Sequence, residues 1–336
     1  MSRRLAGRPT IVDVARLSGV SKSTVSNVIR GSATVSPGVR ERVEAAVREL
    51  GYRPNALARQ LVQQRTSTIG VVVGDLGNPF YAELVKLLER NADANGYTTM
   101  IANTDGQLER EAARVEALLD RRVAGLVMLQ FSGERTILDQ LVAERIPVVV
   151  VSSTDPRVDS VGVDESEGIA LAVQHLVRLG HRSLAYATSP LVEERTNRVR
   201  YDSFRTLCDE LGCLQAAPLV LAPLVPAAAD VLVRRLVEEG VTGFAAANDV
   251  AALALLESLE RVGAPVPQRA SVVGFDGIGL TGLARIGLTT VAQPLEEMAS
   301  VGLRLLLERI AGDPEAPPRQ MLLEPRLIVR TSTAER

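Results

Sequence analysis

From residue 68 onward, short continuous runs of apolar residues alternate with longer segments whose apolar residues recur every three or four positions. The continuous runs predict buried strands, and the 3.6-residue periodicity predicts helices. The predicted strands are 68–75, 98–103, 125–129, 147–152, 160–164, 183–188, 219–222, 243–248 and 271–276, with further strand character over 320–333. The predicted helices are 80–95, 109–121, 166–179, 195–211, 227–239 and 250–262, with another helical pattern between 130 and 146.

Strands that are apolar throughout are typical of parallel sheets covered on both faces by helices. About eleven strands are too many for one open doubly wound sheet in a chain of this length. The pattern therefore predicts an α/β protein with two similar subdomains.

The first 53 residues follow a different pattern. They predict three short helices over 11–17, 22–29 and 37–50, with Gly19 in the tight turn between the first two. Two short helices joined by such a turn are typical of a helix-turn-helix unit.

The second of these helices has few residues to bury, chiefly Val25, Val28 and Ile29. Its outward-facing residues are small, polar or basic: Lys22, Ser23, Ser26, Asn27 and Arg30. Side chains of this kind donate to and accept from base edges in the major groove. The alternative is a generic three-helix bundle with a polar surface, and the turn and the charge favour DNA binding over it.

The charge of the chain is distributed unevenly. Residues 1–65 contain twelve Lys or Arg and four Asp or Glu, a formal charge of +8, whereas the whole chain carries −2. The remaining residues therefore carry −10. A basic head on an acidic body indicates a polyanionic partner for the head.

The segment 54–66 contains helix-forming residues but is short and weakly apolar. Such a segment is marginal as an isolated helix in water. We expect it to be a linker that becomes helical when it binds a partner.

The chain has two cysteines and two histidines. Cys208 and Cys213 lie in one helical-looking stretch and cannot form a disulfide framework, so we expect free buried thiols in a reducing cytosol. His175 and His181 flank the end of a predicted helix and are interpreted as structural. We find no metal-ligand spacing, no export signal and no apolar run long enough to span a membrane, so we expect a cytoplasmic protein without a metal or cofactor.

Several stretches resemble the lactose/galactose repressor family of bacterial transcription regulators. They extend in the family's order from about residue 9 to residue 333 and are most specific in the head. The stretches are PTIVDVARLSGVSKSTVSNVIRG, VSPGVRERVEAAVRELGYRPNALARQL, TIGVVVGDLGNPFYAEL, GHRSLAYAT, AANDVAALALLESL, VVGFDG and LTTVAQP.

The resemblance implies three parts: a headpiece over 1–53, a hinge helix and linker over 54–66, and a core over 67–336. The core is expected to contain two Rossmann-like subdomains of the periplasmic-binding-protein type. One subdomain would combine 67–162 with 293–322, and the other would combine 163–292 with 323–336.

The resemblance also implies a homodimer or tetramer that binds a palindromic operator, usually as a repressor, under the control of a small molecule. Lys22, Ser23, Ser26 and Asn27 would read bases, and Leu61 would enter the minor groove as an apolar wedge. The remaining residues implied to contact the DNA backbone or to form the hinge are Thr10, Ser21, Thr24, Arg30, Tyr52, Asn55, Ala58 and Arg59.

The family's effector site is a cleft between the two core subdomains. The effector would be a sugar, a sugar derivative or a nucleoside-like compound. The positions that match the cleft are Asp75, Asn78, Phe80, Tyr81, Ser152, Arg200, Asn248 and Asp276. Each of them taken alone is equally consistent with a cap or a turn, especially Asp75 and Asn78. Their convergence at strand ends favours the cleft.

Two positions depart from the family pattern. Asn27 stands where arginine is usual, which predicts an operator that differs at that base pair, because asparagine favours adenine and arginine favours guanine. Ser152 stands where aspartate is common, and neither Thr196 nor 221–224 aligns clearly.

The motif GIGLTG over 277–282 matches a dinucleotide-binding pattern, but no helix-forming segment follows it. No catalytic constellation is present, so we do not expect an enzyme. The alternative function is a sugar-receptor-like binding protein whose head does not bind an operator.

Overall fold

The computed structural model describes residues 9–29, 35–52, 66–129, 135–188, 194–216, 218–220, 226–313 and 315–336. The chain divides into two compact units, Met1–Thr66, which we call the headpiece, and Ser67–Arg336, which we call the core. None of the helices within the described ranges is long and apolar enough to cross a membrane.

Three helices form the described part of the headpiece: α1 (Ile11–Ser18), α2 (Lys22–Ile29) and α3 (Pro37–Leu50). Gly19 ends α1 with a φ of 67°, a left-handed conformation that glycine adopts without strain, and the chain turns there into α2. The three helices enclose a small apolar cluster: Val14, Ala15, Val25, Val28, Val43 and Ala46. The predicted helix-turn-helix arrangement is confirmed.

Helices and strands alternate along the core, as the hydrophobic pattern predicts. The helices are α4 (Pro79–Ala94), α5 (Leu108–Leu119), α6 (Arg135–Ala143), α7 (Glu165–Arg178), α8 (Glu194–Glu210), α9 (Pro226–Glu238), α10 (Asp249–Arg261) and α11 (Leu295–Ala311). The strands are β1 (Thr68–Val73), β2 (Thr98–Asn103), β3 (Leu126–Leu129), β4 (Val148–Val151), β5 (Asp159–Val163), β6 (Ser183–Thr188), β7 (Leu214–Gln215), β8 (Leu219–Val220), β9 (Gly243–Ala246), β10 (Ser271–Asp276), β11 (Thr289–Ala292), β12 (Gln320–Leu323) and β13 (Arg326–Ile328).

The strands form two sheets. The first has the order β12-β5-β4-β3-β1-β2, and the second has the order β13-β11-β10-β9-β6-β7, with β8 also paired to β6. The named pairs are parallel, except that β13 runs antiparallel to β11. The predicted α/β fold class with two Rossmann-like subdomains is confirmed.

The chain passes between the two sheets three times. It leaves the first sheet after β5, returns after β11, and crosses again between β12 and β13. On its return, α11 packs against α4 and against β4 and β5. The sheets are therefore held together by three separate connections and by a shared apolar cluster.

Three elements of the structure are absent from the predictions made from the sequence: β7, β11 and α11. β7 has only two residues and β11 has only four, so both are too short to give a clear pattern. Met298, Leu303 and Leu306 of α11 are buried. The apolar residues of this segment recur with the helical period, so the sequence would have supported this helix.

Both histidines contact the C-terminal residues of the chain. His175 Nε2 lies 3.0 Å from Thr333 Oγ1. His181 Nε2 lies 3.2 Å from the carbonyl oxygen of Ala334, to which it donates, and its Nδ1 lies 2.9 Å from Thr242 Oγ1. The interpretation of these residues as structural agrees with these contacts.

The contacts of the histidines predict a dependence of stability on pH. Burial lowers the pKa of both His175 and His181, so the folded protein binds protons less readily than the unfolded chain. The free energy of unfolding should fall as the pH drops below about 6.5, by at most about 1.4 kcal/mol per pH unit for each histidine. The measurement is urea unfolding between about pH 5 and about pH 8.

The control is the double variant His175→Gln/His181→Gln, which keeps every carboxylate of the protein. The difference between the two pH profiles isolates the contribution of the histidines. Identical slopes below about pH 6.5 in the two proteins would contradict the prediction.

Candidate functional site

Helix α2 presents one polar face. Val25 is fully buried in the headpiece, whereas Lys22, Ser23 and Asn27 are exposed and Ser26 is half-buried. Their spacing along the chain places the four polar side chains on one side of a helix. This is the face that a recognition helix presents to a DNA groove.

Ser21 determines how α2 begins. Its hydroxyl oxygen accepts the backbone N–H of Thr24 at 3.1 Å, as an N-cap does. The same oxygen lies 2.7 Å from Ser23 Oγ and 2.8 Å from Thr24 Oγ1. These three predicted DNA-contacting hydroxyls therefore bind one another within the chain, and a bond to DNA has to replace or extend this network.

Thr10 and Tyr52 also have partners within the headpiece. The Asp13 carboxylate accepts the backbone N–H of Thr10 at 2.9 Å and its hydroxyl at 2.7 Å, which secures the start of α1. Tyr52 packs against the apolar cluster, and its N–H donates to the carbonyl of Val47 at 3.0 Å. The other residues predicted to contact DNA or form the hinge lie outside the described residues: Arg30, Asn55, Ala58, Arg59 and Leu61.

Most of the positive charge of residues 1–65 also lies outside the described residues. Five basic residues fall within 9–29 and 35–52, where four acidic residues nearly balance them. The other seven are Arg3, Arg4, Arg8, Arg30, Arg53, Arg59 and Arg65. The three helices are thus close to neutral, and the excess charge belongs to the segments that flank and connect them.

In the core, the predicted effector residues follow the carboxyl ends of strands. Asp75 comes shortly after β1, Ser152 directly after β4 and Asn248 shortly after β9, while Asp276 ends β10. The remaining positions are on helices: Asn78 caps α4, Phe80 and Tyr81 lie in its first turn, and Arg200 lies on α8. We call the region formed by the carboxyl ends of the two sheets the inter-sheet site.

The residues before and within the first turn of α4 have mostly structural roles. Asp75 Oδ1 accepts the N–H of Gly77 at 2.7 Å, and Asn78 Oδ1 accepts the N–H of Phe80 at 3.1 Å. Phe80 is buried in the core, with its ring perpendicular to that of Tyr81 at a centroid distance of 5.0 Å. Of the two rings, only the half-buried Tyr81 is accessible to a ligand.

Arg200 is 4% exposed. Its Nε donates to Glu165 Oε2 at 2.6 Å, and its Nη1 donates to the carbonyl of Ala247. The guanidinium carbon lies 3.7 Å from the centroid of the Phe275 ring, and Nη1 is 3.9 Å from Asp276 Oδ1. Burial opposes the charge, yet Glu165 and Asp276 raise the pKa of Arg200 above its usual range.

Asp276 has a φ of 117°, which is unusual for a residue with a side chain. Its Oδ1 accepts the side-chain amide N–H of Gln293 at 2.8 Å. Burial raises the pKa of Asp276 well above its usual range, Arg200 acts in the opposite direction, and the neighbouring Asp249 raises it further.

Asp249 supports the turn that carries Asp276. Its Oδ2 accepts the backbone N–H groups of Gly277 and Ile278, both at 2.9 Å, and its Oδ1 accepts the hydroxyl of Thr290 at 2.6 Å. A Cβ on Gly274 would lie 2.2 Å from Oδ1, so only glycine leaves room for this carboxylate. Burial raises the pKa of Asp249 to about 6.

Gln293 follows β11, where the chain returns to the first sheet. Gln293 is 7% exposed. Among the described residues, its Oε1 is the one buried side-chain oxygen or nitrogen without a hydrogen-bond partner. A buried acceptor without a donor is costly. Because the same amide bonds to Asp276, this unmet acceptor belongs to the inter-sheet site.

A hydrogen bond joins the two subdomains at this site. The N–H of Gly279 donates to Glu83 Oε1 of α4 at 3.2 Å. Gly279–Gly282 form a 3-10 turn, so the GIGLTG motif does not begin the α-helix that a dinucleotide-binding unit requires.

Ser152 has a φ of 78°, and its N–H donates to the carbonyl of Val161 at 2.9 Å. Thr196, which the sequence left unaligned, lines a cavity together with Asp164 and Glu165. Asn248 caps α10 by accepting the N–H of Ala251 at 2.8 Å.

Three residues of the inter-sheet site were not predicted from the sequence: Glu165, Asp249 and Gln293. Each adjoins a strand end or a predicted site position, and Asp249 directly follows Asn248. Acidic residues in a first helical turn are common on protein surfaces as well. Their burial against Arg200 and Asp276 therefore emerges only from the folded chain.

Comparisons with known proteins agree for both units. Residues 10–55 match the family described as bacterial regulatory proteins, lacI family, and residues 173–333 match the periplasmic binding protein-like domain. The ribose operon repressor of Escherichia coli is 33% identical over 96% of this chain and 99% of its own length. The transcriptional regulator DegA of Bacillus subtilis is 31% identical over 97% of this chain and 98% of its own length.

Solved structures resemble the whole chain as well. The lac repressor dimer bound to operator and the anti-inducer ONPF is 26% identical, with a TM-score of 0.83 over 97% of this chain and 99% of that one. The regulator CelR in complex with cellobiose is 31% identical, with a TM-score of 0.68 over 97% of this chain and 100% of that one.

These relatives are transcriptional regulators rather than enzymes, and they match the headpiece and the core together. The resemblance found in the sequence is confirmed. The chain belongs to the lacI family of bacterial regulatory proteins and is a DNA-binding transcriptional regulator of that family.

Proposed function

We propose that this regulator binds a palindromic operator as a homodimer, acts as a repressor, and changes its operator affinity when a small molecule binds the inter-sheet site. The observation that carries the proposal is the pairing of two sites in one chain. One is a polar helix face on the headpiece, and the other is a buried cluster of hydrogen-bonding groups with an unmet acceptor in the core.

On the DNA side, Lys22, Ser23, Ser26 and Asn27 read bases. The exposed positions on α2 and the small volume of the serines support this role, since such side chains reach base edges without filling the groove. Thr10, Ser21, Thr24 and Tyr52 hold the headpiece on the DNA backbone. The hinge residues Arg30, Asn55, Ala58, Arg59 and Leu61 complete the interface.

Exposed apolar side chains on the core support the dimer. Ile101 lies on β2, an edge strand of the first sheet, and is 47% exposed. Leu280 and Leu283, in and beside the 3-10 turn, are 50% and 55% exposed. Burial of such surface against a second copy is favourable, by about 25 cal/mol for each Å² removed from water.

On the effector side, Asp276 lies beside Arg200 and accepts a hydrogen bond from Gln293, whose oxygen is a second acceptor, and Tyr81 offers an accessible ring. Sugars, sugar derivatives and nucleosides present hydroxyl donors to such acceptors and a face to such a ring. The ligand spans the two subdomains, and its binding changes how they meet. That change alters the order of the hinge and therefore the affinity for the operator.

Asn27 determines one base pair of the operator. We expect wild-type protein to select adenine at that position in a randomised-operator selection, and Asn27→Arg to select guanine, with discrimination of about 1–3 kcal/mol at that pair. Ala45→Arg is the matched control, because it adds the same charge at an exposed position of α3. Unchanged base preference in Asn27→Arg would refute the assignment, and an Ala45→Arg protein that selected guanine equally would point to charge alone.

Arg59 contacts the DNA backbone. The variant Arg59→Ala should weaken binding to every sequence by the same factor and reduce the slope of log K against log salt by about 0.9. A gel-shift titration at several salt concentrations on the selected operator and on unrelated DNA measures both effects. A loss confined to the operator would assign Arg59 to base recognition instead, and the absence of any salt-sensitive, sequence-selective binding by the wild type would favour a binding protein without an operator.

Asp276 binds the effector. A thermal-shift screen of sugars, sugar derivatives, nucleosides and purines should identify a compound that raises the unfolding temperature of the wild type. Asp276→Asn should bind that compound about a hundredfold more weakly, because a hydrogen bond to a charged group contributes about 1.5–3 kcal/mol. The side-chain oxygen of asparagine still accepts the bond from Gln293.

The control for this prediction is Asp202→Asn, an exposed position on the same helix as Arg200. Both variants should keep the operator affinity of the wild type when no effector is present. Full effector affinity in Asp276→Asn would exclude the carboxylate from the site.

A further inference from the structure

Glu165 accepts a hydrogen bond from one edge of the Arg200 guanidinium, a group that in other surroundings binds anions well. The Nε–H of Arg200 points to Glu165 Oε2 at 2.6 Å, and its Nη1 donates to Ala247. The side chains of the pair are only 5% and 14% exposed. Arginine is the residue that best binds carboxylates and phosphates, through paired N–H donors. Here the Nε–H donor is already committed to an acceptor from the chain itself.

Charged groups of both signs surround this pair. Three carboxylates surround the centre of the inter-sheet site, those of Glu165, Asp249 and Asp276, and Arg200 is the cation among them. Arg330 lies behind Asp249 and bonds to the Thr281 hydroxyl and the Leu288 carbonyl, so it adds a second positive charge from outside the site. Arg195 lines the cavity beside Glu165 and adds a third positive charge, so the feature that opposes an incoming anion is the Glu165 carboxylate paired with Arg200 rather than the net charge of the region.

Arg195 and Arg198, near the start of α8, are the next cations that follow β6 in the chain. The segments 130–134, 189–193 and 221–225 follow β3, β6 and β8 in the chain and contain no Lys, Arg or His. The chain has two lysines, Lys22 in the headpiece and Lys86, which is exposed on α4.

The inter-sheet site also contains an acceptor that lacks a hydrogen-bond donor. Gln293 Oε1 is buried without a hydrogen-bond partner, beside the acceptor Asp276. A carboxylate or a fully ionised phosphate ester has acceptors only and cannot satisfy either oxygen. A hydroxyl or an ammonium group satisfies both.

We propose that Glu165 is the specificity-determining residue of the inter-sheet site: by occupying Arg200, it makes the site select an uncharged or cationic hydroxyl-bearing effector and reject phosphorylated or carboxylated ones. The inference rests on the proposed effector function and narrows its ligand class. An anion entering the site competes with Glu165 for Arg200 and lies close to Asp276, so a phosphate ester should bind at least about a hundredfold more weakly than its parent compound.

The central test uses inorganic phosphate on the full chain, so it does not depend on knowing the effector. Glu165→Gln keeps the length of the side chain and an oxygen that can accept the Nε–H of Arg200, but it removes the negative charge that competes with an incoming anion. Thermal shift and calorimetry with phosphate, against sodium chloride at matched ionic strength, should show saturable binding to Glu165→Gln about tenfold or more tighter than to the wild type.

Glu167→Gln is the matched control. Glu167 is exposed in the same first turn of α7, so this variant removes one negative charge from the same helix without touching Arg200. It should bind phosphate no better than the wild type. Glu165→Asp keeps the charge and should retain the wild-type rejection of phosphate, which separates the effect of charge from any loss of packing.

Three matched pairs extend the test to organic ligands: D-ribose and its 5-phosphate, D-glucose and its 6-phosphate, and adenosine and its 5′-monophosphate, with D-glucosamine as the cationic case. In the wild type, any stabilising member should be unphosphorylated. In Glu165→Gln, the phosphorylated member of the same pair should gain affinity.

Tighter binding of a phosphorylated member by the wild type would overturn the inference. So would Glu165→Gln binding phosphate no better than Glu167→Gln while both unfold cooperatively. If Glu165→Gln gains phosphate binding but no organic compound binds the wild type or alters its operator affinity, the role of Glu165 stands and the proposed effector control fails.

Discussion

Because all strands of a parallel sheet point in one direction, their carboxyl ends gather at one edge, and the loops that follow them meet there. In this protein the two sheets bring such edges to a single site, which collects residues from distant parts of the sequence. Glu165, Arg200, Asp276 and Gln293 come from four different connections. The chain crosses between the sheets three times. Two of the crossings begin beside Glu165 and Gln293, so this site lies where the subdomains are joined.

Burial of Arg200 sets a strong condition on its surroundings. Removing a guanidinium from water costs several kcal/mol unless nearby acceptors compensate it. Glu165, the Ala247 carbonyl, the Phe275 ring and the more distant Asp276 provide that compensation. Asp249 in turn holds the turn on which Asp276 lies, through two backbone N–H groups and the Thr290 hydroxyl. The site is therefore preorganised before any ligand enters, with its unmet acceptor at Gln293.

The headpiece differs from the inter-sheet site, because few of the polar groups in its described residues are buried. Its apolar cluster is small, its helices carry nearly balanced charge, and the hydroxyls at the start of α2 bond to one another. The excess positive charge lies in the segments that flank and connect the helices. DNA binding in such a unit depends on helices that position a polar face and on basic segments that supply the electrostatic attraction. The net positive charge that attracts DNA therefore comes mainly from residues outside the three helices, whereas Thr10, Ser21, Thr24 and Tyr52 belong both to the fold and to the proposed interface.

The sequence by itself determined the alternation of strands and helices, the helix-turn-helix unit and the family, because these follow from hydrophobic periodicity, turn residues and motifs that are local in the chain. It also indicated Arg200, Asn248 and Asp276 as site positions, through their place at strand ends or through the resemblance. Tertiary structure alone decided which of these residues meet. It placed Phe80 in the core, used Asp75 and Asn78 in turns and caps, and brought Glu165, Asp249 and Gln293 into the site. The physical reason is that burial, ion pairing and the loss of a hydrogen-bond partner depend on contacts between residues far apart in sequence, which no local pattern encodes.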